Sequence, residues 1–342
     1  MTGRNATRCL AAPMAINVNV ERNTMIRRLF LVGWLAVTTT VGAAPYPEKP
    51  ITLIQGFAVG GNSDTIARVV GQALAKELGQ QVIVEAKTGA GGNLASAQVA
   101  KAAPDGYTLI LLTGGHAVSA AMYKKLAFDP IESFDWITLV SRFPFVLATR
   151  ADSPIKSMAD LVSTAKSRPG EVSYSSVGIG STQHLSGELF QAMAGVQLNH
   201  IPYKGGAAPL QDVLGGRVDL MFDSVTVTRV QVDAGKLRAL GVTSSERAPL
   251  LPAVAPIKET VPGFEVTSWT GIAAPKGLPE AVASRLHAAI TRVLKDPAVI
   301  AQLEATGGVS SPSASAAEMK GYVSNQVQKW KKVVRDANIP EQ

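Results

Sequence analysis

The sequence has almost no cysteine: Cys9 is the single copy in 342 residues. An internal disulfide is therefore excluded, and once the first residues are removed there is no thiol nucleophile and no thiolate metal ligand. Histidine is scarce as well, and His116, His184, His200 and His287 show no metal-ligand spacing. The patterns G-x-S-x-G, G-x-x-x-x-G-K-[ST] and H-E-x-x-H do not occur, which removes the common hydrolase, phosphate-loop and zinc-peptidase signatures. "GAGGNL" and "GIGSTQ" each lack the last glycine of a dinucleotide fingerprint. No cofactor and no metal is expected, and the chain is not expected to be an enzyme. No apolar run reaches the ~20 residues of a membrane-spanning helix. Low-complexity tracts are missing too, and with 46% apolar and 17% charged residues the chain reads as globular.

What is present begins at the N-terminus. From Met25, "MIRRLFLVGWLAVTTTVGAAPYPEKP" sets Arg27 and Arg28 before an apolar run, Leu29 to Val37, and small residues around Val41-Gly42-Ala43. This is the pattern of a secretory signal peptide, with cleavage expected after Ala43 or Ala44. Residues 1–44 are read as an N-terminal extension and signal peptide, with Met25 as an alternative start. "RRLFL" partly resembles a twin-arginine signal, so either export route stays open. Losing this segment removes five of the 33 bases and one of the 26 acids, and the net charge of +7 becomes +3. No basic stripe with interleaved aromatics remains, so nucleic acid is not an expected partner. The expected location is the periplasm.

From Pro50 the pattern alternates. "ITLIQGF" suits a buried strand. Ile66, Val69, Val70, Ala73, Leu74 and Leu78 then recur at helical spacing up to Gly79, and "QVIVEA" is the next strand. The same grammar continues through strands "YTLILLT", "VSYSSV", "LNHIPY", "VDLMFD" and "LRALGV", each after a helical stretch. Strands alternating with helices predict an α/β fold with mostly parallel sheets. Two stretches break the rhythm: "FDWITLVSRFPFVLATR" (134–150) and the Pro-rich, then extended 248–275. Both are read as crossings between two lobes, residues 45–147 plus 267–342 and residues 148–266. Helices are expected over 279–294, 297–305 and 315–336.

In open parallel sheets ligands bind beyond the C-terminal ends of strands. The loops at those places are "GFAVGGNSD" (56–64), "KTGAGG" (87–92), "TGGHA" (113–117), "GIGSTQH" (178–184), "YKGGA" (203–207) and "FDSVT" (222–226). Each alone reads as an ordinary turn or cap, and Asp64 in particular as a cap. Six together favour a small anion, because helix N-termini offer free N–H donors and glycine lets the backbone approach closely. In this reading Gly60 and Gly61 approach a carboxylate, while Ser181 and Thr182 add hydroxyls. His116 and His184 could touch a ligand or brace a loop. Ser181 with His184 is the one pair that would suit a nucleophile and its base, the alternative of an exported serine hydrolase.

The segments "YPEKPITLI", "GGNSDTIAR", "GAGGN", "APDGYTL", "YKKLAFDP", "GSTQHL", "HIPYKGGAAP", "GRVDLMFD", "GKLRALGVTSSER" and "PAVAPIKETVPGFE" follow in order over about 46–339. Together they make the chain resemble periplasmic solute-binding receptors of the tripartite tricarboxylate transporter type, the Bug proteins. The resemblance implies a type II periplasmic-binding-protein fold, with two lobes that close on a small organic acid in the cleft between them. It implies first-lobe contacts from Phe57, Ala58, Gly61 and Asn62, with Thr113 to His116. Second-lobe contacts would be Gly180, Ser181, Thr182, His184, Tyr203, Lys204 and Asp223. The implied partners are the ligand and membrane permease subunits, with the receptor itself a monomer; a periplasmic sensor of the same ligands is the alternative. "GGHAVSAAMY" departs from relatives that often carry Asn and Pro before this Tyr, so the resemblance does not fix the ligand.

Overall fold

The computed structural model describes residues 46–342; the expected signal peptide and the Met25 start lie outside the described residues. The first βαβ unit is β1 (Ile51–Gln55), α1 (Asn62–Leu78) and β2 (Val82–Ala86). Helix α1 buries Ile66, Ala67, Val70, Leu74 and Leu78 along one stripe and stops at Gly79, whose φ of 68° is the left-handed value that glycine adopts without strain. Then follow α2 (Asn93–Val99), β3 (Thr108–Thr113), α3 (Gly114–Met122) and β4 (Phe134–Arg150).

The middle of the chain holds α4 (Met158–Ser167), β5 (Ser173–Ser176), α5 (Thr182–Ala194), β6 (Asn199–Pro202), α6 (Ala208–Leu214), β7 (Leu220–Ser224), α7 (Val225–Asp233) and β8 (Leu237–Val242). The remainder is β9 (Thr267–Pro275), α8 (Glu280–Val293), α9 (Pro297–Ala305), β10 (Val309–Ser310) and α10 (Ala316–Asp336). Helix α10 buries Met319, Val323, Val327, Trp330 and Val334, and this face packs on α3 and β4.

Strands run in the order β2-β1-β3-β9-β4-β7-β5-β6, with β8 and β10 also on β4. The outer groups are parallel, β2-β1-β3 and β7-β5-β6, as the βαβ grammar requires. The central pairings of β9 with β3 and β4, and of β4 with β7 and β8, are antiparallel. The sheets are thus mixed: the crossing strands return through the centre in the opposite sense.

Strand β4 serves both groups. Phe134 to Pro144 pairs with β9, and Phe145 to Thr149 pairs with β7. Proline has no N–H for a ladder, so Pro144 suits the residue where one partner ends and the next begins. The donor just beyond is not lost, since Phe145 N–H donates to Thr243 Oγ1 at 2.8 Å.

One sequence expectation changes here: residues 114–117, expected in a loop, are the first turn of α3. The second crossing, expected to be Pro-rich and then extended, carries a 3₁₀ turn at Ile257–Glu259 and is extended from Thr267.

Candidate functional site

Where β4 and β9 pass between the two strand groups, the chain encloses about 490 Å³ of space, its open mouth included. Phe57, Gly61, Asn62, Ser63 and Thr113 wall it from the ends of β1 and β3. The crossing strands contribute Phe143 and Phe145 from β4 and Ser268 and Thr270 from β9, each pair two residues apart on one face. Opposite stand Val177, Thr182, Gln183, Gly205, Gly206 and Asp223.

Helix starts converge on this space. Helix α1 begins at Gly61 and α7 at Ser224, neither with a side-chain cap bond. The first turn of α5 contributes Thr182 and Gln183. Their positive ends and unpaired N–H groups favour an anion. Hydroxyls supplement them. Ser63 Oγ is buried without a partner among the described residues, and Thr182 Oγ1 lies 3.4 Å from Ser268 Oγ. The Thr113 hydroxyl oxygen accepts from Gly115 N–H at 3.2 Å, which leaves its own O–H to donate. Among the described residues, no lysine, arginine or histidine lines the cavity.

Asp223 is the one ionisable lining group among the described residues, and burial pushes its carboxyl up to about 6 against the Ser224 bonds that favour ionisation. Ser224 N–H donates to Oδ1 at 2.7 Å.

The two walls are clasped around the space. Ala58 N–H donates to the Lys204 carbonyl at 3.1 Å, beside an Ala58–Gly205 bridge. The Thr226 hydroxyl donates towards Asn62 Oδ1 (2.6 Å) and lies 2.8 Å from the Thr306 carbonyl. Ser119 Oγ and the Tyr123 hydroxyl donate to the carbonyls of Gly180 (3.2 Å) and Ile179 (3.3 Å).

Of the residues singled out in the sequence, Phe57, Gly61, Asn62, Thr113, Thr182 and Asp223 meet in the cavity. Ala58 and Gly60 shape its loop; Gly60 has φ 87°, and its N–H donates to Asp64 Oδ2 at 3.2 Å, so Asp64 sits in the first turn and braces the loop ahead of α1 rather than capping the helix. Tyr203 and Lys204 line a separate neighbouring hollow, and the Tyr203 hydroxyl is spent on Asp212 at 2.5 Å.

Gly180, Ser181 and His184 stand behind the wall. Ser181 Oγ accepts from His184 N–H at 3.1 Å as the cap of α5, and His184 Nδ1 accepts from Gly180 N–H at 3.3 Å. The serine and imidazole are therefore not paired as nucleophile and base. His184 stacks on His200 at 4.2 Å, and burial takes its imidazole down to about 3.

His116 is also placed away from the cavity. It sits among Phe128, Phe134 and Trp136, its Nε2 2.7 Å from the Pro130 carbonyl, and burial lowers it to about 4. The "GAGG" loop packs beside the wall, where a Cβ on Gly91 would overlap the Ile179 carbonyl.

Sequence reasoning missed Phe143, Phe145, Ser268 and Thr270 as lining residues. Their signal was two-residue spacing inside segments read only as crossings.

An enclosed cavity where two sheets exchange strands is the architecture of two-lobed solute-binding proteins, and this fold is of that class. Within it, the chain belongs to the tripartite tricarboxylate transporter family receptors, whose sequence pattern matches residues 66–339. It is similar to the periplasmic binding protein BugD at 36% identity and a TM-score of 0.83, covering 87% of this chain and 100% of that one. The R. palustris protein Rpa4515, solved with adipate, is 34% identical with a TM-score of 0.83, over 87% of this chain and 100% of that one. MatC from Rhodopseudomonas palustris, with bound malate, is 33% identical with a TM-score of 0.81, over 84% of this chain and 100% of its own. The family is one of periplasmic solute-binding receptors.

Proposed function

We propose that this chain is exported through its N-terminal signal and captures a small carboxylate in the cavity at the crossing strands. It then delivers the ligand to the membrane subunits of a tripartite tricarboxylate-type permease, without chemical turnover. The observation that carries the carboxylate reading is a cavity walled by helix N-termini and hydroxyls with no cation among its lining residues. Such a wall binds an anion by backbone and hydroxyl donors instead of a guanidinium clamp. The adipate and malate of the similar proteins support the same class. The contacts proposed are Phe57, Gly61, Asn62, Ser63, Thr182 and Asp223, with Ser268 and Thr270 added from β9. The two strand groups are proposed as the cores of lobes 45–147 plus 267–342 and 148–266, acting as a monomer.

The test is calorimetry on the mature protein with succinate, glutarate, adipate, malate and citrate, and with nicotinamide and glucose as uncharged controls. One-to-one binding of at least one acid is expected, with none for the controls. Binding confined to an uncharged compound would overturn the carboxylate reading.

A further inference from the structure

We propose that Asp223 makes this cavity select small carboxylates that carry a hydrogen-bond donor on their chain, a hydroxyl or an ammonium, over plain acids of the same skeleton. The inference rests on the carboxylate reading of the cavity and adds which carboxylates it takes.

Asp223 is 4% exposed at the end of β7, and among the described residues it is the only lining group able to carry a charge. An ionised carboxylate only accepts hydrogen bonds. Within the protein it receives the Ser224 N–H at 2.7 Å and the Ser224 hydroxyl at 3.4 Å, both on Oδ1, with the Gln183 side chain also in reach. No lysine, arginine or histidine of the lining offsets its charge. A buried carboxylate so placed is stabilised by any donor a guest brings and opposed by a second negative charge.

The uncapped start of α1 and the partnerless Ser63 hydroxyl suit the guest's first carboxylate. A plain diacid that extends towards Asp223 sets two carboxylates against each other. A hydroxy or amino acid of equal length sets an O–H or N–H there instead. The raised carboxyl of Asp223, near 6, is what an acid in this setting without such a guest should show.

Two series of one skeleton each test this by calorimetry at pH 7.5: succinate, malate and aspartate, then glutarate, 2-hydroxyglutarate and glutamate. Adipate serves as a longer plain acid. The wild type should bind a donor-bearing member of at least one series about 10- to 100-fold more tightly than its plain acid. Malate against aspartate separates hydroxyl from ammonium.

In Asp223→Ala that ratio should fall to within about threefold while the plain acid binds no worse. A merely structural aspartate would weaken every ligand alike and leave the ratio intact. Asp223→Asn keeps an oxygen for the Ser224 N–H and should lower the ratio even if the alanine variant folds poorly.

A plain acid that equals or exceeds its donor-bearing partners in the wild type overturns the inference and leaves the receptor reading standing. So does a preference that survives both variants. If neither these seven acids nor citrate binds, the carboxylate reading fails, and this inference with it.

Discussion

Thr182 and Ser268 face the cavity with hydroxyl oxygens 3.4 Å apart, a long contact that leaves both free to turn towards a guest. Thr182→Val keeps the side-chain shape and removes the donor, so affinity should weaken by ~0.5–3 kcal/mol. Gly61 is tighter: a Cβ there would lie 3.5 Å from Gly206 N and 3.7 Å from the Ala58 carbonyl. Alanine fits that space, but the branched methyls of Gly61→Val should obstruct the guest and remove most measurable affinity. Arg68 points away, half-exposed and paired with Asp64 at 3.0 Å, so Arg68→Gln should leave affinity unchanged. Titration of the three variants checks the series; normal binding by Gly61→Val, or a loss confined to Arg68→Gln, would make the loop a mere turn. Titration of the folded protein gives a second test. Asp223 moves from 3.8 to about 6 on folding, so the folded state holds its proton longer. Stability from this group is therefore full below about pH 4 and lost as pH rises to about 6. His116, His184 and His200 are lowered from 6.5 to about 4, 3 and 4, and their stabilisation, full above 6.5, is lost as pH falls. Because the histidines cancel between wild type and Asp223→Asn, the ligand-free variant should melt a few degrees higher at pH 7.5 and level with wild type near pH 4. Equal melting at both pH values would show that Asp223 is not strained by burial.

At the scale of elements, periodicity was informative wherever an element presents one buried stripe. Helix α1 was legible for that reason, as was α10; the 17-residue β4, buried on both faces, was legible only as a long extended run. Helix α3 was not. It starts Gly-Gly, and Gly114, Gly115, His116, Ala117, Val118, Ser119, Ala121 and Met122 are all buried, so no polar face marks a period. The lining was half legible. Glycines and hydroxyls at strand exits pointed to Gly61, Asn62 and Thr182, because those ends carry a physical reason to bind. Ser268 and Thr270, two apart in an extended stretch, share a face, but only the third dimension shows what that face meets. His184 and Ser181 were drawn into the site by proximity in sequence, whereas the fold uses them to cap and brace α5. The "GAGG" loop has a similar supporting role, and its tightness can be tested. Gly91 has φ 62° and abuts the Ile179 carbonyl, so Gly91→Ala must both strain the backbone and push the 178–181 wall outwards. A stability loss of ~1–3 kcal/mol with weaker acid binding is expected. Gly170→Ala is the control, since its φ of 78° is similar but nothing lies within 4 Å. Chemical denaturation of both variants decides it; equal losses would assign the whole effect to φ and none to packing.

For the whole molecule, closure is the remaining physical question. The walls of the cavity are joined by few polar contacts: Ala58 to Lys204, Thr226 to Asn62, Ser119 to Gly180 and Tyr123 to Ile179. At a net ~0.5–1.5 kcal/mol each, they amount to only a few kcal/mol, comparable to what one small ligand contributes. Such a balance lets a ligand shift the population between open and closed forms, because it bridges both walls only when they meet. Strand β4 runs through both strand groups and changes partner at Pro144–Phe145, where a hinge is expected. Ser119→Ala with Tyr123→Phe removes two of the joining donors without entering the cavity lining. Without ligand, the double variant should scatter X-rays with a larger radius of gyration than the wild type. Saturation with the tightest-binding acid of the calorimetric panel should bring both proteins to the same smaller radius. The variant should also need more acid to get there, since ligand binding must then supply what the two hydrogen bonds supplied. Scattering curves that are identical with and without saturating acid, in both proteins, would rule out closure as the way this receptor holds its ligand.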